Sequence, residues 1–173
     1  MVRPILPANK IIRETIMRLS VLALVMLATT ASADTLTGFV TAITDGDTIV
    51  LLVDKTQHKV RLNGIDAPEK AQPYGSRSTE NLSGLVFQKT VTADCPKVDR
   101  WGRLVCKVTV AGQDVGLAQV NTGVAWHYKK YENEQTIDDR VSYRKAEVEA
   151  RGKRIGLWAD ADPIPPWAWR KSR

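Results

Sequence analysis

Histidine and cysteine are both scarce, with two of each in 173 residues. His58 and His127 stand far apart and outside any zinc-ligand spacing, which argues against a His-built metal enzyme and against a zinc finger. Two cysteines are too few for a disulfide-dense miniprotein. No uncharged apolar run reaches the roughly 20 residues that a spanning helix needs, so a multi-span membrane protein is excluded. Internal repeats, low-complexity tracts and a linker long enough to divide the chain are lacking as well. What is present is 43% hydrophobic and 25% charged residues, the balance of one ordinary globular domain.

The formal charge of +6 invites a nucleic-acid reading, but part of it lies in a segment with the pattern of an export leader. Leu19 to Ala33 carry no charge, follow Arg18 and close on Ala31-Ser32-Ala33, the small-x-small form of a signal-peptidase site. Residues 1–33 are expected to be a cleaved signal peptide, cut after Ala33, with the protein secreted or periplasmic and without stable membrane association. The remaining chain carries 21 basic and 18 acidic side chains, a net of +3. That charge permits contact with phosphate polymers without arguing for it, so function must come from placed residues.

An oxidising destination lets Cys95 and Cys106 close a bridge. Val91 to Cys95 and Leu104 to Val110 read as strands, and Asp99-Arg100-Trp101-Gly102 supplies the reversal, so the cysteines are expected nearly opposite each other across a hairpin. Two buried free thiols are the alternative.

Strands come first along the chain and helices later. Phe39 to Ile43, Thr48 to Val53 and Lys59 to Leu62 are rich in β-branched residues, with turn signals at Asp45-Gly46 and Asp54-Lys55. Ser78 to Gln88 reads as a helix capped by Ser78, and a short helix follows the Asp114 cap up to Gly123. A further helix is expected over Glu134 to Arg151, with Ile137, Val141, Ala146 and Ala150 as its apolar stripe. This order matches no βαβ alternation and fits a small closed or nearly closed barrel with packed helices, an α+β fold. In the tail, residues 160–173, Pro163, Pro165 and Pro166 are expected to prevent a helix. Its Trp167 and Trp169 either fold back on the barrel or grip nucleic acid together with Arg170, Lys171 and Arg173.

Three stretches carry chemistry: Asp45-Gly46-Asp47-Thr48, Arg61 to Glu69, and Asp99-Arg100-Trp101-Gly102-Arg103. Each alone reads as a turn or loop. A barrel places the start of one strand and the end of its neighbour on one rim, where Asp47 and Asp66 could converge. Two close carboxylates repel unless a cation sits between them, and a hard divalent ion takes oxygen ligands, which implies calcium or magnesium. Backbone carbonyl, water and substrate oxygens would complete such a shell. Arg61 and Arg103 carry planar forks matched to phosphate oxygens, and charge builds on those oxygens during attack on phosphorus. Glu69 is then placed to orient or deprotonate an attacking water.

The ordered set Asp45-Gly46-Asp47-Thr48, Arg61, Ile65-Asp66-Ala67-Pro68-Glu69, Tyr74-Gly75 and Asp99-Arg100-Trp101-Gly102-Arg103 resembles the thermonuclease family, the staphylococcal nuclease-like enzymes, over about Leu36 to Trp158. The resemblance implies a five-stranded OB-fold β-barrel with about three packed helices over residues 34–159. It also implies a calcium-dependent endonuclease that cuts DNA and RNA with low sequence specificity and leaves 3′-phosphate ends. Carried over by position, Asp47 and Asp66 resemble the metal carboxylates, and Ala67 supplies a backbone carbonyl where members often have Thr. Arg61 and Arg103 resemble the phosphate-binding pair, and Glu69 the residue that activates water. Arg100 and Trp101 are candidate substrate contacts, Trp101 standing where Tyr is frequent. Tyr128 and Tyr131 either receive a nucleobase or cover the barrel mouth, and Tyr74-Gly75 anchors the loop before the first helix. A non-catalytic OB-fold nucleic-acid-binding module is the alternative reading, disfavoured because two Asp, one Glu and two Arg all stand at the enzyme's spacings. A monomer is the expected state.

Overall fold

The computed structural model describes residues 34–172; the expected leader, residues 1–33, lies outside them. Three antiparallel strands open the fold: β1 (Asp34–Asp45), β2 (Thr48–Val53) and β3 (Thr56–Leu62). The turns fall where Asp45-Gly46 and Asp54-Lys55 announce them, and Asp54 and Lys55 take φ of 45° and 74°, as a tight hairpin joining twisted strands requires. After the two-residue β4 (Ile65–Asp66) comes helix α1 (Gly75–Val86), then the hairpin β5 (Thr90–Val98) and β6 (Leu104–Val110).

Closure comes from two pairings. β5 runs antiparallel to β1, and β6 runs parallel to β3, with Val60, Leu62 and Arg61 opposite Leu104, Cys106 and Val105. The result is a closed five-stranded mixed barrel, with a short β7 (Gln113–Asp114) appended to β6. Alternate residues fill it: Ile49 and Leu51 from β2, Val60 and Leu62 from β3, Val91 and Ala93 from β5, Cys106 and Val108 from β6, capped by Leu82 and Val86 of α1. Cys95 and Cys106 form a disulfide across the β5–β6 hairpin at an irregularity in its register, where Pro96 is accommodated inside β5.

Helix α2 (Val115–Asn121) starts at the Asp114 cap, whose side chain accepts from the Leu117 amide. β8 (Trp126–His127) pairs with β4, and α3 (Ile137–Gly152) follows a 3-10 turn. Four sequence expectations are corrected. Helix α1 begins three residues before Ser78, after Tyr74 in a left-handed turn at φ 68°, and Ser78 is buried inside it. Helix α3 begins at Ile137, because Thr136 accepts from the Asp139 amide and caps it there. Its buried side is Tyr143, Ala146, Glu147 and Ala150, while Ile137 and Val141 are 71% and 61% exposed. Finally, the prolines do not exclude a helix: Pro166 opens a short α4 (Pro166–Trp169), since its locked φ and missing N–H suit a first helical turn.

Residues 160–172 pack back on the domain. Trp126, Ala150, Leu157 and Trp158 form a second apolar cluster, and Trp167 joins it. The Trp167 ring lies 5.4 Å from Trp126 edge-on and 5.4 Å from Tyr128 in a stack. No helix among the described residues is long and apolar enough to cross a membrane.

Candidate active site

The register of β2 and β3 sets Thr48 opposite Arg61, so the Asp45–Thr48 turn and the end of β3 share one rim. The Leu62 amide donates to the Asp47 carbonyl at 2.8 Å and locks that adjacency. β4, turned back by Gly64 at φ 75°, then brings Asp66 to the same place. Asp47 and Asp66, 6% and 1% exposed, lie on two sides of the Arg61 guanidinium, 3.3 and 2.9 Å away. Arg61 also donates to the carbonyls of Leu62 and Ile65, both at 3.1 Å. The expected convergence of two carboxylates from separated stretches is therefore present, with Arg61 between them.

The remaining contacts fix the acids further. Asp47 accepts from the Thr48 hydroxyl at 2.9 Å and from the Ala67 amide at 3.0 Å. Asp45, a turn residue by its sequence, is a third carboxylate here: it accepts from the Asp47 amide at 3.1 Å. Burial first, then the Asp47 charge, push its carboxyl up to about 6. Burial also raises Asp66, more than Arg170 and Arg61 lower it. Arg61 moves upward although burial opposes its charge, because Asp47, Asp66 and Asp45 surround it.

Gln119, also not singled out in the sequence, supports the turn from α2. Its buried amide donates to the Gly46 carbonyl at 2.7 Å and to the Ser78 carbonyl at 3.0 Å. A β-carbon on Gly46 would stand 2.1 Å from the Ser78 hydroxyl, so α1 and the turn meet only through glycine. On the other side, Gly75 lets α1 approach the Glu69 carbonyl, where a β-carbon would stand 2.0 Å away. Tyr74-Gly75 thus anchors the Glu69 loop, as expected.

Arg103 lies in different surroundings. Asp99 accepts from the Trp101 amide, the Arg103 amide and the Arg103 Nε, all within 2.9 Å. Burial opposes its charge, yet these bonds hold the Asp99 carboxyl below its ordinary value. Arg100 and Arg103 stand 4.1 and 5.2 Å from the ring of Trp101, which is 65% exposed. The described partners of Arg103 are thus its own turn rather than the acidic rim. Tyr128 stacks on Trp167 and meets Tyr131 edge-on at 5.3 Å, while Lys97 and Lys130 flank Tyr131.

The strongest surprise is Arg170. It reaches the rim from the end of α4, with Nη2 2.7 Å from Asp66 Oδ2 and Nη1 2.6 Å from Glu69 Oε1. Nothing in the sequence pairs residues a hundred positions apart.

A barrel rim with this acid and arginine set can be compared with known proteins. The pattern of the family described as Staphylococcal nuclease homologue matches residues 59–160. The chain belongs to that family. It is 38% identical over 144 residues to a micrococcal nuclease of Shigella flexneri, covering 78% of this chain and 80% of that one. To an uncharacterized endonuclease of Escherichia coli O157:H7 it is 40% identical over 134 residues, 77% of this chain and 84% of the other. To Protein ParB of Escherichia coli it is 41% identical over 159 residues, 87% of each. Membership places this staphylococcal nuclease homologue among the nuclease hydrolases, with nucleic acid as the substrate class.

Proposed function

We propose that this staphylococcal nuclease homologue hydrolyses phosphodiester bonds of DNA and RNA with low sequence specificity, in a reaction that depends on a divalent cation, calcium first, and leaves 3′-phosphate ends. The observation that carries the reading is the gathering of Asp47 and Asp66 around Arg61 on one rim, with Asp45 behind them and Glu69 beside them. Among the described residues no three His, Cys, Asp or Glu side chains already stand as a metal cage. The donor chemistry nevertheless fits a hard ion: the candidate donors are oxygens, they carry more negative charge than Arg61 alone offsets, and the carboxylates are fixed by the backbone. Asp47, Asp66 and the Ala67 carbonyl would hold the ion. When bound, it would neutralise charge on the phosphate and acidify an attacking water.

The chain's own groups do the rest. Arg61, already desolvated, would turn donors now shared with Leu62, Ile65 and Asp66 toward a phosphate oxygen. Arg103 sits on an exposed turn, where its remaining donors can meet a second oxygen as the strand arrives. Glu69 accepts the proton of the attacking water. Trp101, flanked by Arg100, presents a face on which a base or sugar can stack, and Tyr128 and Tyr131 offer a second aromatic surface. The leader pattern of residues 1–33 and the Cys95–Cys106 bridge support an exported protein, periplasmic or secreted, acting as a monomer over domain 34–159.

The test is digestion of plasmid and single-stranded DNA and of RNA by the purified protein in calcium, magnesium or manganese, with end-group analysis. Fragments ending in 3′-phosphate in calcium are expected. Intact substrate in all three metals would overturn the enzyme reading and favour a binding module.

A further inference from the structure

The rim acids face a competitor that belongs to the chain itself. Asp66 Oδ2 accepts from Arg170 Nη2 at 2.7 Å, and Asp66 Oδ1 accepts from Arg61 Nη2 at 2.9 Å and from Arg170 Nη1 at 3.3 Å. Glu69 Oε1 accepts from Arg170 Nη1 at 2.6 Å. One guanidinium therefore engages the carboxylate that would hold a cation and the carboxylate that would take a proton from water. A doubly charged ion on Asp66 would stand against that guanidinium, and two cations crowded on one carboxylate repel. Asp66, 1% exposed and pinned by β4 and Arg61, cannot turn away. The Arg170 side chain is 43% exposed and can leave.

Two further contacts hold Arg170 in place. Gln72, whose side-chain carbonyl accepts from the Glu69 amide at 3.1 Å, donates its own amide to the Ile164 carbonyl at 2.6 Å, tying segment 160–172 to the Glu69 loop. Trp167, three residues before Arg170, is wedged between Trp126 and Tyr128. Trp126 pairs with Asp66 in the β4–β8 ladder, so the wedge and the acid share one backbone platform. The Trp167 wedge and the Gln72 bond together act as a latch.

We propose that segment 160–172 is a strap whose Arg170 competes with the divalent cation for Asp66 and covers Glu69, so that the site loads only as the strap lets go. The proposal rests on the metal-dependent reading above and adds its regulation. Because coupling between two ligands is reciprocal, cation binding weakens the strap as much as the strap weakens cation binding.

Calorimetric titration with Ca2+ of wild type, Arg170→Gln and Trp167→Ala tests it. Arg170→Gln should bind Ca2+ at least about fivefold more tightly than wild type, the low end of ordinary coupling between sites. Trp167→Ala keeps every charge and loosens only the wedge, so a tightening in the same direction separates strap release from simple removal of a positive charge. Fluorine NMR of fluorotryptophan-labelled protein, with the Trp167 signal assigned through Trp167→Phe, should show that signal moving as Ca2+ binds to wild type. Equal affinities in the three proteins, or a Trp167 signal that stays in place while Ca2+ binds, would overturn the strap and leave the metal-dependent reading standing. If none of the three binds Ca2+, Mg2+ or Mn2+, both readings fall together.

Discussion

Arg61 and Arg103 are both arginines matched to phosphate oxygens, and the fold treats them differently. Arg61 is held by two carboxylates and two carbonyls contributed by the β1–β2 turn, the end of β3 and β4. Arg103 is held by Asp99, four residues away, and by the face of Trp101. The first environment is assembled by the β2–β3 register and the return of β4, and disappears if those elements part. The second is a turn that carries its own bonds. An arginine built into the rim is therefore both a chemical group and a structural counter-charge, whereas one on an exposed turn is free to serve the substrate alone.

The sharpest way to break that comparison is to remove each guanidinium in turn. Arg61→Ala leaves buried Asp47 without its counter-charge and Asp66 with Arg170 alone, and should cost about 3 to 5 kcal/mol of folding stability in urea unfolding. Arg103→Ala leaves Asp99 with its two backbone amides and should cost less than about 1 kcal/mol. Both should lower turnover by roughly 100-fold or more if each meets developing charge on phosphate. Equal unfolding midpoints for the two variants would end the distinction between rim and turn.

A smaller effect concerns the rim's excess of negative charge. The Asp45 carboxyl is raised from its ordinary 3.8 to about 6, so the folded protein binds a proton there that the unfolded chain has released. The stability that this proton contributes is present below about pH 4 and lost as pH rises through about 6. Asp45→Asn should therefore match wild type near pH 4 and exceed it above pH 6, by about 1 to 3 kcal/mol without divalent cation. A stability difference that is flat with pH would remove the claim.

The two glycines sharpen the contrast further. Gly46 is required by the close approach of Ser78, and Gly102 by its φ of 78° with open space around it. Either alanine substitution should cost about 1 to 3 kcal/mol. Asn, which tolerates a left-handed backbone, should recover much of the loss at 102 and none at 46. The smallest effect belongs to α3: Val141→Lys lies on the exposed side and should change stability by no more than about 0.5 kcal/mol. A large loss there would restore Val141 to the core.

The strands were legible because β-branched alternation and Asp-Gly turns are local signals; β2 and β6 have the expected bounds, and the disulfide joins the expected pair. The start of α1 was not, because Ser78 resembles a cap in sequence but is buried against the Asp45–Thr48 turn and Gln119. The apolar stripe of α3 misled for a related reason. Tyr143 reaches Asp114 at 2.8 Å and Glu147 meets Lys129 and Arg151, so polar residues take the inner face while Ile137 and Val141 face outward. Of the site, the meeting of Asp47 and Asp66 on one rim followed from motif order and rim geometry, whereas the place of Arg61 between them did not. Asp45 did not, because its character comes from burial on the rim, and Gln119 and Arg170 did not, since each owes its place to a partner on another element.

The amino-acid sequence by itself determined the barrel's strands, its helical second half, the cysteine pair and the family, because these rest on periodicity, turn chemistry and ordered motifs. Only the tertiary structure decided which charges face one another. Electrostatic partnership depends on distance in space, and closure of the barrel and the docking of Trp167 bring Arg170 to Asp66 across a separation in sequence that no local pattern spans.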